Sequence, residues 1–189
     1  PELGYCAGRQ ADSRCGESPG MSLRQIAVPT DRVDRRDLAG AAAAALLVNL
    51  VGASGVVFTD PSSQWFQSLQ LPWFYPPSWV FGVVWTLLFT LLGVAAYLVY
   101  KQGVDSRPVR IALGLFGAQM VVNVAWSPAF FALQDPPLAL GVIGLLWVLI
   151  VLTIGAFARV DRRAALLVGP YLLWVSFAAV LNAVIWQLN

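Results

Sequence analysis

The chain has 189 residues, 58% of them hydrophobic and 12% charged, with a formal net charge of +2. That charged fraction is about half of what a soluble domain carries, so most of the surface cannot face water and lipid is the expected solvent. Histidine is absent, which removes the usual general base, haem ligand and zinc ligand, so neither a metal site nor a resident cofactor is expected.

Residues 1–37 read as a disordered N-terminal segment, rich in Gly, Ser, Arg and Cys as far as Gly20 and without the apolar core of a signal peptide. Met21 opens a Met-Ser-Leu-Arg start, and residues 1–20 are expected to be upstream translated or expression-derived sequence. Cys6 and Cys15, the only cysteines, can pair with each other but cannot staple anything downstream. Between Asp31 and Asp37 acids and bases intermix, as in a solvated segment beside a membrane.

Four uncharged runs follow, Leu38–Thr59, Ile111–Gln134, Pro136–Ala158 and Ala164–Asn189. A fifth, from Pro61 to Tyr100, is too long for one span; Pro61, Pro72, Pro76 and Pro77 break its first half, which leaves a helix over Ser78–Tyr100. Each segment exceeds the roughly 20 residues that a bilayer core requires. None shows a charged face to turn toward water, which argues against a soluble helical protein. The predicted fold is therefore all-α, an integral membrane bundle of five transmembrane helices over residues 38–189.

Lys and Arg set the predicted orientation. Arg32, Arg35 and Arg36 precede the first span, Lys101, Arg107 and Arg110 separate the second and third, and Arg159, Arg162 and Arg163 separate the fourth and fifth. The opposite side carries only Asp60 and Asp135 in its loops. The N-terminus is expected in the cytoplasm and the C-terminus outside. These clustered positive charges orient the chain, and no basic aromatic surface suggests nucleic acid as a partner.

In the loop before the second span, Asp60 followed by Pro61 predicts a cap and a short helix to about Gln70, with Trp65, Phe66 and Leu69 on one face. With Trp73, Phe74 and Tyr75 it makes either an aromatic flap over the bundle or an interfacial belt. All eight tryptophans lie beyond residue 64, several of them away from the usual depth of such belts. In the last span Trp174, Ala178, Asn182 and Trp186 recur every four residues, as a pocket wall would. The third span offers Gln119, Asn123, Trp126 and Ser127 on one face, and the second adds Gly82, Trp85 and Phe89. Amides in a membrane helix turn toward a partner or a cavity; Gln119, Asn123 and Asn182 either tie helices together or face a space left by Gly82 and Ala178. Gly52, Gly93 and Gly144 are expected to serve close packing. Pro128 and Pro170 predict local bends, which either open a cavity or stay silent. Intramembrane Asp, Glu, Lys and Arg are missing, so acid–base work has no obvious titrating group.

The run Trp73-Phe74-Tyr75-Pro76-Pro77-Ser78-Trp79-Val80-Phe81 followed by Trp85 resembles the first signature of the TspO/MBR family, the tryptophan-rich sensory or translocator proteins. Asn123-Val-Ala-Trp126-Ser127-Pro128-Ala-Phe130-Phe131 is similar to its third span, and Pro170-Tyr171-Leu-Leu-Trp174-Val-Ser-Phe177-Ala178-Ala-Val-Leu181-Asn182 to its fifth. The resemblance runs from about residue 40 to 189. It implies a five-helix protein of the bacterial cytoplasmic membrane that binds porphyrins and hydrophobic drug-like ligands, often as a homodimer. Carried across, the ligand-binding residues are Trp65, Phe66, Trp85, Phe89, Asn123, Trp126, Ser127, Trp174, Ala178 and Asn182. Phe66, Phe74 and Phe89 depart from the family's pattern, and contacts that a tyrosine hydroxyl would make at Phe66 and Phe89 are lost. A sterol motif would need a tyrosine and a basic residue after Leu181, where this chain has Ala183 and Gln187.

The leading expectation is a porphyrin-binding membrane protein acting as sensor or transporter. Because a tetrapyrrole already prefers lipid to water, selectivity must come from stacking and hydrogen bonds, roughly 3 to 6 kcal/mol over lipid. The alternatives are light- or oxygen-dependent porphyrin breakdown, with Trp65 and Trp174 as electron donors, and a structural or partner-binding membrane protein.

Overall fold

A computed structural model describes residues 34–189. The expectations for Cys6, Cys15, Met21 and the segment before Asp34 lie outside the described residues. Within them the chain forms α1 (Arg35–Ala53), a 3₁₀ turn (Ser54–Phe58), α2 (Gln64–Ser68), α3 (Ser78–Tyr100), α4 (Arg107–Ser127), a π-helical turn (Pro128–Ala132), α5 (Pro136–Ala158) and α6 (Arg162–Leu188). Five of these helices, α1 with its 3₁₀ turn, α3, α4 with its π turn, α5 and α6, are long and apolar enough to cross a membrane. The chain is an all-α, multi-pass integral membrane protein.

Local chemistry sets the ends of these helices. Pro76 and Pro77 stop the loop, and α3 begins at Ser78, as the proline pattern predicts. The Asp135 carboxylate accepts from Leu138 N at 2.9 Å ahead of two prolines at the start of α5, and that of Asp161 accepts from Arg163 N at 2.8 Å before α6. After α3, Gly103 turns the chain with φ of 100°, a conformation open to glycine.

In the bundle α1 packs on α3, α3 on α6, α6 on α5 and α5 on α4, and the ring closes through contacts of α1 and its 3₁₀ turn with α4. The larger apolar core, including Leu92, Ile150, Phe157 and Val168, occupies the middle and the end that bears Lys101, Arg107, Arg159 and Arg162, the basic end. There Asp37 accepts from the Tyr97 hydroxyl at 2.8 Å and from Lys101 Nζ at 3.2 Å, tying α1 to α3. A smaller core, with Phe66, Phe130, Ala139, Leu181 and Ile185, joins the 59–77 loop to α4–α6 at the opposite end.

Glycine packing differs from the expectation at one position. A methyl added at Gly93 would strike the backbone of Ala45, and one at Gly52 would strike the Phe89 ring, so both serve close approach. Gly144 has nothing within 4 Å of such a methyl among the described residues, so close approach does not require it.

Candidate functional site

The loop over residues 59–77 is a lid, and its helix differs from the one predicted. Asp60 caps no helix: its carboxylate accepts from the Ser62 amide at 3.0 Å and the Ser62 hydroxyl at 2.6 Å, which holds it below the usual carboxylate pKa. The chain turns there, so Ser63 becomes the cap, accepting from Phe66 N at 3.3 Å, and the helix runs only over Gln64–Ser68. Phe66 is the buried residue of that helix. The far side of the lid is tied to α6, with Gln70 N donating to Asn189 Oδ1 at 2.9 Å and Asn189 Nδ2 donating to Gln70 O at 3.2 Å.

Beneath the lid lies a cavity of about 400 Å³, at the lower end of the usual range for small-molecule sites. Phe66, Trp85, Phe89, Asn123, Trp126, Ser127, Trp174, Ala178 and Asn182 all line it. Trp65 does not; it packs edge-on against Phe130 at 5.5 Å, one ring behind the wall. Trp186 also leaves the stripe that begins at Trp174 and is 50% exposed. An α-helix has 3.6 residues per turn, so each four-residue step advances about 40° and three steps rotate Trp186 away from the cavity. Gln119 is fully buried outside the cavity, and its amide nitrogen and oxygen have no partner among the described residues.

The walls are aromatic on three helices and the lid. Trp85 stacks on Phe89 at 5.2 Å and meets Trp174 edge-on at 6.5 Å, while Trp126 stacks on Phe130 at 5.2 Å. Phe66 links Tyr75 at 6.3 Å to Phe131 at 5.6 Å, so the lid continues the aromatic ring. Pro128 opens the π-helical turn, in which Leu133 N donates to Pro128 O at 2.9 Å. Phe130 and Phe131, both in that turn, line the cavity. Such turns interrupt α-helices frequently at functional sites.

The amides do two jobs. Asn182 is engaged on both sides: Trp126 Nε1 donates to its Oδ1 at 3.3 Å, and its Nδ2 donates to Pro136 O at 2.8 Å, which joins α4, α5 and α6. Asn123 donates from Nδ2 to the buried Tyr171 hydroxyl at 2.9 Å. Its Oδ1 takes no hydrogen bond from the described residues and is left as an acceptor. Asn49 and Thr59 also line the cavity and escape the sequence-based expectation, as does Tyr171 behind Asn123; Tyr75, expected in an aromatic flap or belt, lines it as well. Asn49 is visible as an amide in an apolar span; Tyr171 stands in the family-like run of the last span, but its pairing with Asn123 depends on α4 and α6 lying side by side. Among the described residues, none that lines the cavity is charged. The site can therefore hold a flat apolar body and offer it the Asn123 oxygen and the hydroxyls of Ser78, Ser127 and Tyr75, but it cannot neutralise a buried ion.

Comparison with known proteins agrees with this architecture. The TspO/MBR family profile matches residues 44–187. The tryptophan-rich protein TspO of Chlorobaculum tepidum is 46% identical over 140 residues, covering 74% of this chain and 89% of that protein. The tryptophan-rich sensory protein of Cereibacter sphaeroides is 33% identical over 149 residues, 77% of this chain and 92% of that one. The translocator protein of Bos taurus is 35% identical over 146 residues, 76% and 86% of the two chains. The chain belongs to the TspO/MBR family.

Proposed function

We propose that this protein binds a flat hydrophobic tetrapyrrole under its lid and acts as a membrane sensor or transporter of that ligand. The observation that carries the reading is the cavity beneath the lid, walled by Trp85, Trp126 and Trp174 from three different spans with the free Asn123 oxygen among them. Indoles supply stacking faces of about 0.5 to 1.5 kcal/mol each. The Asn123 oxygen, which takes no hydrogen bond from the described residues, supports the reading as an acceptor for a polar group of the ligand. A sensory or translocator role follows the names of the family's members. With no charged group in the wall, a porphyrin seats its macrocycle inside and leaves its carboxylates at a mouth, because burying an unpaired carboxylate costs several kcal/mol.

Titration of purified protein with protoporphyrin IX tests this. Binding quenches tryptophan emission, and Trp85→Ala weakens affinity about three- to tenfold, the loss of one stacking partner. The dimethyl ester binds at least as tightly as the diacid. Unchanged emission across the titration would rule the reading out.

In this reading the basic end faces the cytoplasm, because Lys and Arg are retained on that side. A reporter fused after Asn189 is then active only when it functions outside the cytoplasm; cytoplasmic activity would reverse the orientation.

A further inference from the structure

The cavity is closed on most sides. The lid is pinned to α6 by the paired bonds of Gln70 and Asn189, and α4, α5 and α6 are tied through Trp126, Asn182 and Pro136. The wall between α1 and α3 is different, because its packing changes along its length. Toward the basic end the two helices touch at glycines, Gly40 on the Tyr97 ring, Gly93 on the Ala45 backbone and Gly52 on the Phe89 ring. Beyond Phe89, toward the lid, the contact ends. Gly82 lies on the stripe that continues Phe89 and Gly93, yet among the described residues a methyl there would meet no atom of another element within 4 Å. Gly82, Thr86 and Ser78 of α3 and Ala53 and Val56 near the end of α1 are exposed while they line the cavity.

The cause lies in how α1 ends. Its final turn tightens to a 3₁₀ helix that packs on α4 and the π turn rather than on α3. There Gly55 sits so close to Ser127 that a methyl would lie 3.0 Å from the serine oxygen. Leaning one way, α1 leaves a wedge on the other, with its apex at Gly52 and Phe89. Two of the polar side chains along the wedge are already satisfied: Thr86 Oγ1 donates to Gly82 O at 2.8 Å, and Asn49 Nδ2 to Ala45 O at 2.9 Å and Thr90 Oγ1 at 3.1 Å. An apolar molecule crosses this rim without breaking a hydrogen bond.

The geometry points to a lateral portal: ligand reaches the cavity dissolved in the lid-side leaflet, edge-on between α1 and α3, and Gly82 keeps the way open by lacking a side chain. The portal rests on the cavity being a ligand site. It admits lipid-soluble planar molecules and leaves their ionised ends at the rim.

Two measurements test it in nanodiscs. In stopped-flow binding of protoporphyrin IX, Gly82→Leu slows association and dissociation together by about tenfold, and Val56→Trp does the same from the α1 side. Asn189→Ala, which releases the lid, leaves both rates as they were. Faster exchange in Asn189→Ala, or faster dissociation without slower association in both portal variants, would overturn the proposal. The second measurement needs no ligand. The share of emission due to Trp85, taken as wild type minus Trp85→Phe, is quenched by phospholipid brominated on its acyl chains, and Gly82→Leu protects it. Equal Trp85 emission in brominated and plain bilayers overturns the portal. Failure of protoporphyrin to bind at all would sink the tetrapyrrole reading alone, and the quenching would still decide the portal.

Discussion

At the residue scale, single methyl groups govern how closely α1 and α3 can lie. Gly93→Ala pushes a carbon into the Ala45 backbone, which no side-chain rotation can relieve, so a loss of about 1 to 3 kcal/mol is expected. Gly144→Ala fills open space and should stay within about 0.5 kcal/mol of wild type. Reversible unfolding in detergent measures both; equal losses would contradict the packing described. These two glycines look alike in the sequence, since which one meets a backbone depends on which helix lies opposite. Trp85, Trp126, Trp174, Asn123 and Asn182 were legible because an indole or amide in an apolar span has few other reasons to be there. Trp65 stays behind the wall because its neighbour Phe66 takes the inward position, and adjacent helical residues point about 100° apart.

Among the elements, the lid is the most sensitive to conditions. Burial of Tyr75 raises its phenol above the ordinary value of 10.0. A group whose pKa is raised on docking stabilises the docked state fully below its free value and loses that contribution as pH climbs through the raised one. Alkaline titration past pH 10.0 should therefore loosen the lid, with tyrosinate absorbance rising as Trp65 emission changes. Tyr75→Phe should abolish that step; an unaltered titration would show that Tyr75 is not held under the lid. Prolines announced where the lid ends, at Pro76 and Pro77, but not how it begins. Asp60 has both the residue type and the following proline of a cap, and only the short reach to Ser62 diverts it. The π turn was also hidden, because Pro128 predicts an interrupted hydrogen bond without saying whether the chain bends or widens.

For the whole molecule, five spans and short loops were readable from charge and hydropathy, whereas the order of helices around the ring was not. Short connections imply that consecutive helices are neighbours, yet α3 packs more extensively on α6 than on α4, its successor. The tryptophans outside the site add a further property. Trp73, Trp79 and Trp186 are 96%, 70% and 50% exposed, and all three lie at the lid end, where indoles settle at the headgroup level. The basic end has no tryptophan and relies on Lys and Arg, whose long stems adjust their depth. The protein thus hangs from one surface of the membrane, and a mismatch between bilayer thickness and the 23-residue span of α5 is absorbed at the other. Lengthening the acyl chains should leave protoporphyrin affinity unchanged while burying Val104→Cys from a polar thiol reagent. If affinity changes and labelling does not, the anchor is at the wrong end. A site fixed at constant depth beneath one headgroup layer would keep the same lipid composition around it in membranes of different thickness.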